Sequence, residues 1–224
     1  MSLSGSASGP HANVRAPRAG HRRMSLILLS ILAICCGGVL RAWYLAGAFD
    51  TAIPFRLPSL ASHLRAPNFH LVDIDNRARS LADFRGKVVV IFFGYTHCPQ
   101  ACPTELFKLA QVMRRLGEKG SQVQVLLITL DPQRDTPQLL KGYVGAFDPS
   151  FIGLTGTSAQ IDRVAADYHV EFSKVRYGDA DDYWVDHSTV TYVIDKEGYQ
   201  RLFANMDTRV DDFVNDLRLL ANAR

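Results

Sequence analysis

A strand-helix-strand pattern between residues 87 and 130 constrains the fold of this chain more than any other feature. "KVVVIFFGY" is a continuous apolar run rich in β-branched and aromatic residues, as expected of a strand buried on both faces. "TELFKLAQVMRRLGEKG" has apolar residues at helical spacing, and a second apolar run, "VQVLLITL", follows it. The pattern predicts two parallel strands joined in a right-handed crossover by a helix that Gly120 closes.

The flanking segments extend this unit into an α/β sandwich of thioredoxin type. "FHLVDIDN" predicts an earlier strand, and "DTPQLLKGYVGAF" predicts a helix capped by Asp135 or Thr136 with Pro137 in its first turn. A short "FIGLTG" segment and a helix in "SAQIDRVAADYH" follow. "TVTYVIDKEGYQRLFAN" predicts a hairpin that turns at its Lys-Glu-Gly sequence, before a terminal helix over about residues 208–221.

The first 66 residues differ from this domain, which we expect to span residues 67–224. Residues 1–23 contain four arginines and no acidic residue, and they predict a disordered basic tail. Residues 24–48 begin with 17 uncharged residues, close to the lower limit of ~17 to 25 for a bilayer span. They predict a transmembrane anchor, and residues 49–66 predict a tether.

The arginines before the anchor favour a cytoplasmic N-terminus. This orientation predicts a protein of the bacterial inner membrane with a single span and its folded domain in the periplasm. The alternative is a signal peptide cleaved after Ala46-Gly47-Ala48, against which Arg41 argues. Cys35 and Cys36 are interpreted as apolar residues of the membrane helix.

The charge of the chain argues against nucleic acid as a partner. The formal net charge is +3, but removing the four N-terminal arginines leaves 21 basic residues against 22 acidic ones. A nearly neutral domain lacks the excess of positive charge that binds the phosphate backbone of nucleic acids.

Two cysteines, Cys98 and Cys102, follow the first buried strand and begin the helix after it. The unpaired N–H groups of a helix N-terminus favour thiolates, so we expect reactive thiols. Cβ atoms four residues apart on a helix are ~5 to 6 Å from each other, whereas a disulfide needs ~3.5 to 4.5 Å. A disulfide therefore needs a larger local movement than a shared metal ion, and both remain open.

A third ligand is needed for a metal site, and His187 is the candidate. It stands in "DYWVDHSTVTYVID", just before a predicted buried strand, in a loop that crosses the cysteines in a thioredoxin layout. Thioredoxins carry a cis-proline there, whereas this chain has His187-Ser188. His70, His97 and His169 are interpreted as ordinary surface or core histidines.

Three blocks in order, "GYTHCPQACPTEL", "DPQRDTP" and "VDHSTVTYVID", resemble the Sco/SenC family, membrane-tethered thioredoxin-like copper proteins of cytochrome oxidase assembly. The resemblance covers roughly residues 66–224 and implies that Cys98, Cys102 and His187 are the metal ligands. It also implies a copper chaperone rather than an enzyme, with cytochrome c oxidase subunit II or another copper acceptor as its partner. A copper donor and a thioredoxin-like reductant are further candidate partners.

The ligand chemistry agrees with copper. Two soft thiolates and one imidazole suit Cu(I), and the imidazole also suits Cu(II). Structural zinc usually takes four protein ligands, although zinc with an added water stays an alternative. Oxidation of the two thiols to a disulfide would abolish the site, so one pair could carry both metal and electrons.

Two other function classes stay open. A thiol-disulfide oxidoreductase would use Cys98 and Cys102 as its redox pair, but the CxxxC spacing and the missing cis-proline count against it. A peroxidase needs one activated cysteine, and nothing in the sequence singles one out. His187 separates the classes, because only a metal site requires it.

The "DPQRDTP" block has two interpretations. Asp131 ends the second buried strand, so its carboxylate is a candidate to orient a metal ligand by hydrogen bonding. The alternative is a capped loop in which Arg134 is solvated or paired. The acidic segment "YGDADDYWVD" is either a recognition loop or a solvated charged loop.

Overall fold

The computed structural model describes residues 29, 31–39, 41, 55–60, 64–177 and 183–223. The predicted basic tail, most of the predicted anchor, its alternative cleavage site and the acidic residues 178–182 lie outside these ranges. Residues 31–39 are helical and exposed. Within the described ranges, no helix has the length and apolarity needed to cross a membrane. The chain divides into two compact units, residues 1–52 and 53–224, and the second contains the elements below.

In its described residues, the second unit contains nine strands and four α-helices. The strands are β1 (His70–Asp73), β2 (Ala78–Ser80), β3 (Val88–Gly94), β4 (Val123–Thr129), β5 (Ile152–Thr155), β6 (Phe172–Arg176), β7 (Tyr183–His187), β8 (Thr191–Ile194) and β9 (Gln200–Ala204). The helices are α1 (Ala101–Leu116), α2 (Pro137–Gly145), α3 (Ser158–Asp167) and α4 (Val210–Asn222). Two 3-10 turns cover Leu81–Phe84 and Gly117–Gln122.

Seven strands form one mixed sheet in the order β2-β1-β5-β4-β3-β8-β9. Strands β3 and β4 are parallel, with Val88 opposite Val123 and Gly94 opposite Thr129, and both are buried along their whole length. The predicted strand-helix-strand unit and the thioredoxin-like α/β fold are therefore confirmed. The predicted β8–β9 hairpin also forms, with Gly198 at φ +82° in its turn.

The end of α1 was predicted wrongly. The helix ends at Leu116, and Gly117 rather than Gly120 takes the positive φ, +58°, that closes it. Such a backbone conformation costs glycine little, and both glycines satisfy the sequence rule for a helix end. The residues up to Gln122 continue as a 3-10 turn. The predicted start of the terminal helix, near residue 208, moves to Val210.

The two faces of β3 contribute to different parts of the core. Phe93 packs against Tyr168 and Tyr192, with ring centroids 5.5 and 6.0 Å away. Phe92 points to the opposite face, where its ring lies 6.4 Å from that of His187. The face that carries Phe92 is therefore the one that supports the candidate site.

Strands β6 and β7 form a separate two-stranded antiparallel sheet that the sequence did not predict. His187 is the last residue of β7, so it lies at a strand end rather than in a loop. Phe172 is directly opposite it on β6.

Part of the predicted tether belongs to the folded unit. Ser59 and Arg65 form antiparallel bridges to Leu202 and Tyr199, at the free edge of β9. These bridges cover an edge strand whose backbone groups would otherwise be unpaired. The folded unit therefore begins earlier than the predicted residue 67.

A buried carboxylate fixes the start of this segment. Asp216 of α4 is fully buried, and its Oδ2 accepts hydrogen bonds from the backbone N–H groups of Arg56 (2.8 Å) and Leu57 (2.7 Å). The Leu57 side chain is itself buried. Asp216 therefore holds the backbone at residues 56 and 57 against α4.

Candidate metal centre

The two domain cysteines lie where β3 ends and α1 begins. Cys98 occupies the turn between them and is 9% exposed, whereas Cys102 is in the first turn of α1 and fully buried. Both are free thiols. The backbone N–H of Cys102 donates to the Cys98 sulfur over 3.3 Å. Cys98 therefore receives one of the unpaired N–H groups of the helix N-terminus.

Gly94, the last residue of β3, provides the space for Cys102. A Cβ at position 94 would lie 2.9 Å from the Cys102 sulfur, 3.0 Å from the Phe92 ring and 3.3 Å from the Leu127 side chain. Any larger residue would push the sulfur out of place. The sequence contains this glycine at the predicted strand end, but only the packing shows what it does.

His187 reaches the cysteines from the other side. Its Nε2 lies 3.8 Å from the Cys102 sulfur, and its Nδ1 lies 2.9 Å from the Ser188 carbonyl oxygen. A carbonyl oxygen can only accept, so Nδ1 donates to Ser188, and Nε2 is the ring nitrogen that faces the cysteines. The rings of Phe92 and Tyr95 form T-shaped pairs with the imidazole, with centroids 6.4 and 6.1 Å away.

The two thiols differ in acidity. Hydrogen bonding from the Cys102 thiol lowers the pKa of Cys98 to about 4, against the opposing effect of burial, with further help from His187 and two backbone N–H groups. The hydrogen bond to Cys98 and burial raise the pKa of Cys102. In the reduced, metal-free protein the negative charge therefore resides on Cys98.

The distances allow a comparison with metal coordination. Typical metal bonds of ~2.3 Å to sulfur and ~2.0 Å to nitrogen, at a trigonal angle, separate the two donor atoms by about 3.7 Å. The distance between Cys102 and His187, 3.8 Å, is close to this value. Across the described part of the chain, however, no three His, Cys, Asp or Glu side chains already form a group that could hold a metal ion. Coordination by Cys98, Cys102 and His187 together would therefore need these side chains to move.

Asp131 contacts other groups than the three candidate ligands. Its buried carboxylate accepts from the Tyr183 hydroxyl over 2.7 Å and forms a short ion pair with Arg134. Tyr183 is on β7, the strand that ends in His187. Asp131 therefore contacts the histidine-bearing strand, and Arg134 is paired rather than solvated.

Of the two predicted caps of α2, Thr136 is correct and Asp135 is wrong. The Thr136 side chain accepts from the Leu139 N–H, and Pro137 occupies the first turn. Asp135 is fully buried instead, and it accepts from the hydroxyls of Thr96 (2.5 Å) and Thr129 (2.6 Å).

Asp135 also accepts from the Thr96 N–H over 3.0 Å, so it fixes the turn that leads to Cys98. His97 lies beside this group, with Nδ1 3.0 Å from the Thr96 hydroxyl and a half-exposed side chain. Two further histidines of the described residues are His70, which begins β1, and His169, which follows α3 at φ +56°.

Sequence reasoning missed one buried residue beneath the site. Glu105 is fully buried on α1, one turn after Cys102, where it pairs with Lys108 at 2.7 Å and accepts from the Thr191 hydroxyl at 3.1 Å. Thr191 begins the strand that follows His187. This carboxylate therefore links the cysteine-bearing helix to the histidine-bearing segment. A glutamate at a core-facing helical position, three residues after Cys102, was the available signal.

Comparison with known proteins places this geometry in a family. The model of the SCO1/SenC family matches residues 59–222, well over half of the chain. The chain belongs to the SCO1/SenC family. Its relatives include an SCO2-like protein of Rickettsia typhi, 36% identical over 151 residues that cover 67% of this chain and 74% of the relative.

A mitochondrial SCO2 homolog of Bos taurus is 46% identical over 133 residues, 58% of this chain and 50% of the relative. This chain thus spans about half the length of that mitochondrial SCO protein. Among solved structures, Bradyrhizobium japonicum ScoI with copper bound superposes with a TM-score of 0.65 at 36% identity. The match covers 70% of this chain and 99% of that one.

Proposed function

We propose that this SCO1/SenC protein is a copper chaperone whose cargo binds to Cys98, Cys102 and His187. The observation that carries the proposal is the 3.8 Å approach of His187 Nε2 to the Cys102 sulfur, 85 residues away in sequence. Nothing in the chemistry of a plain dithiol requires an imidazole at this place.

The donor set favours copper over other metals. Two sulfurs and one imidazole nitrogen match the soft and borderline ligands that copper prefers, whereas closed zinc sites usually have four protein ligands. Relatives from Bradyrhizobium japonicum and Arabidopsis thaliana, each 36% identical to this chain, have structures with copper bound. Both comparisons support copper as the cargo.

The position of the ligands suits transfer to another protein. Cys98 is close to the surface and His187 is partly exposed at the end of a two-stranded sheet, whereas Cys102 is fully buried. An incoming thiolate therefore meets His187 or Cys98 before Cys102. Copper would pass by direct ligand exchange, without release into water.

The predicted acceptor is the copper centre of cytochrome c oxidase subunit II. The predicted anchor over residues 24–48 would hold the folded domain on the periplasmic side of the bacterial inner membrane, where such an acceptor would be exposed. The support for this part of the proposal is the charge and hydropathy pattern of the sequence together with the family.

A growth experiment tests the function. Cells that lack this protein should lose cytochrome c oxidase activity at low copper and regain much of it when copper is added. His187→Ala should fail to restore activity at low copper, although both of its thiols remain. His97→Ala, the neighbouring histidine that contacts Thr96, is the matched control and should restore activity. Full restoration by His187→Ala would reject copper transfer.

A thiol-disulfide oxidoreductase that reduces the cysteines of the acceptor is the second candidate. The low pKa of Cys98, about 4, favours it because the thiolate is the attacking species. The same growth experiment separates the two functions: restoration by His187→Ala together with failure of Cys98→Ala would favour the oxidoreductase.

A further inference from the structure

The strand that carries His187 is only indirectly attached to the main sheet. In the described ranges, β6 and β7 pair with each other and with no strand of the seven-stranded sheet. A two-stranded sheet on its own is marginally stable in water. Side-chain contacts must therefore hold this hairpin, and with it His187, against the rest of the domain.

A group of polar contacts between the hairpin and the domain lies at the first residue of β7. The Tyr183 hydroxyl donates to Asp131 Oδ1 over 2.7 Å, and Arg134 Nη1 donates to the Tyr183 carbonyl oxygen over 3.1 Å. The Arg134 guanidinium carbon also lies 3.7 Å from the centre of the Tyr183 ring. Tyr183 is thus held at its hydroxyl, its ring and its backbone at once.

The other strand of the hairpin, β6, also contacts Tyr183 and Asp131. Lys174 of β6 places its Nζ 4.6 Å from the Tyr183 ring centre and 3.7 Å from Asp131, and it donates to Gln133 over 2.7 Å. Asp131 is fully buried, so these partners replace the water that a carboxylate would otherwise bind. Moving the hairpin away would leave this buried carboxylate without some of its donors. The carboxylate therefore favours the observed position of the hairpin.

The geometry connects this cluster to the metal centre. Tyr183 and His187 are four residues apart on one strand, so both side chains face the body of the domain, roughly 14 Å apart along the strand. Asp131 and Arg134 follow β4, the parallel neighbour of β3, whose end leads to Cys98. The loop that holds Tyr183 and the turn that holds Cys98 therefore leave the same edge of the sheet.

We propose that Tyr183, Asp131 and Arg134 form a latch that positions His187 at the thiols. The inference rests on the proposed function, because it assigns the latch to control of that same site. With the latch closed, copper has three ligands. With the hairpin displaced it keeps the two thiolates, so a copper acceptor that loosens the hairpin would promote transfer. None of the three residues touches the metal; they are positioning residues.

The test compares two tyrosine-to-phenylalanine variants of the full-length protein in detergent. Tyr183→Phe removes the hydroxyl that Asp131 accepts from, but keeps the ring. Tyr143→Phe is the control, because in the described part of the chain the Tyr143 hydroxyl is buried without a hydrogen-bond partner. Cu(II) affinity is measured by competition, together with the charge-transfer absorption of the bound Cu(II).

We expect Tyr183→Phe to bind Cu(II) about 10-fold more weakly, the lower end of the usual effect of losing a group that orients a ligand. Its Cu(II) absorption should shift, whereas its Cu(I) affinity should stay within about twofold, because Cu(I) is held mainly by the thiolates. Tyr143→Phe should change neither quantity. A loss of Cu(I) and Cu(II) affinity by the same factor would indicate general damage and overturn the latch.

The double variant Tyr183→Phe/His187→Ala decides whether Tyr183 acts through His187. If it does, Tyr183→Phe should have no further effect on Cu(II) affinity once His187 is gone. Two effects that simply add would overturn the latch and leave the proposed ligands standing. Undiminished Cu(II) binding by His187→Ala alone would overturn the ligand set, and the latch with it.

Discussion

The Cys102 sulfur and His187 Nε2 lie 3.8 Å apart, although the two residues are 85 positions apart in the chain. Three elements produce this approach: α1 buries Cys102 in its first turn, Gly94 leaves space for the sulfur, and β7 ends at His187. The Ser188 carbonyl oxygen accepts from Nδ1 and so orients the imidazole with Nε2 towards the thiol.

The acidity of Cys98 gives a first prediction. The pKa of Cys98 is lowered to about 4, chiefly by the Cys102 thiol, so the thiolate should persist as pH falls and be lost only near pH 4. The ultraviolet thiolate absorbance of the reduced, metal-free protein measures this directly. Cys102→Ala should move the inflection upward. A titration near the ordinary thiol value of ~8.5 in the unaltered protein would contradict the assignment.

The close approach at Gly94 gives a second prediction. Gly94→Ala should displace the Cys102 sulfur and destabilise the protein by roughly 1–3 kcal/mol, the usual cost of overpacking. Its copper affinity should also fall. Gly153→Ala is the control, because its Cβ would lie 2.9 Å from the Leu140 Cβ, away from the site. Gly153→Ala should lose stability but bind copper normally. Equal copper affinity in the two variants would contradict the claim that Gly94 positions the Cys102 sulfur for copper.

The Asp216 carboxylate, which holds the first residues of the domain, gives a third prediction. Asp216→Ala should lower the free energy of unfolding by roughly 2–4 kcal/mol, because it leaves the part-buried N–H of Arg56 and the buried N–H of Leu57 without their charged acceptor. Asp212→Ala, which removes an exposed ion pair to Arg56 at 3.3 Å, should cost at most about 0.5 kcal/mol. Urea unfolding of the two variants measures the difference, and similar losses would show that Asp216 is not special.

Local signals predicted the elements that hold the cysteines. The two fully buried strands, the helix between them and the Thr136-Pro137 start of α2 all follow from hydropathy and capping. Gly117 and Gly120 satisfy the same rule for a helix end, and only tertiary packing separates them. That ambiguity explains the error of one turn at the end of α1.

The hairpin that holds His187 could not be predicted in the same way. "FSKVR" and "YWVDH" mix charged and apolar residues, and most of their residues remain partly or fully exposed. Neither segment therefore shows the continuous apolar run by which β3 and β4 were found. The contacts of Asp131 with Tyr183 and of Asp216 with Arg56 join residues 52 and 160 positions apart. No local pattern carries information over such a distance.

The copper affinity of the His187→Ala protein tests the central claim most directly. The full-length chain, reduced and in detergent, should bind one Cu(II) ion, and His187→Ala should bind it at least about 10-fold more weakly, whereas His97→Ala should bind it as the unaltered protein does. Cys98→Ala and Cys102→Ala should each lose most Cu(I) binding, since one thiolate cannot replace two. Equal Cu(II) affinity in the His187→Ala and His97→Ala proteins would contradict the claim that His187 completes a copper site with Cys98 and Cys102.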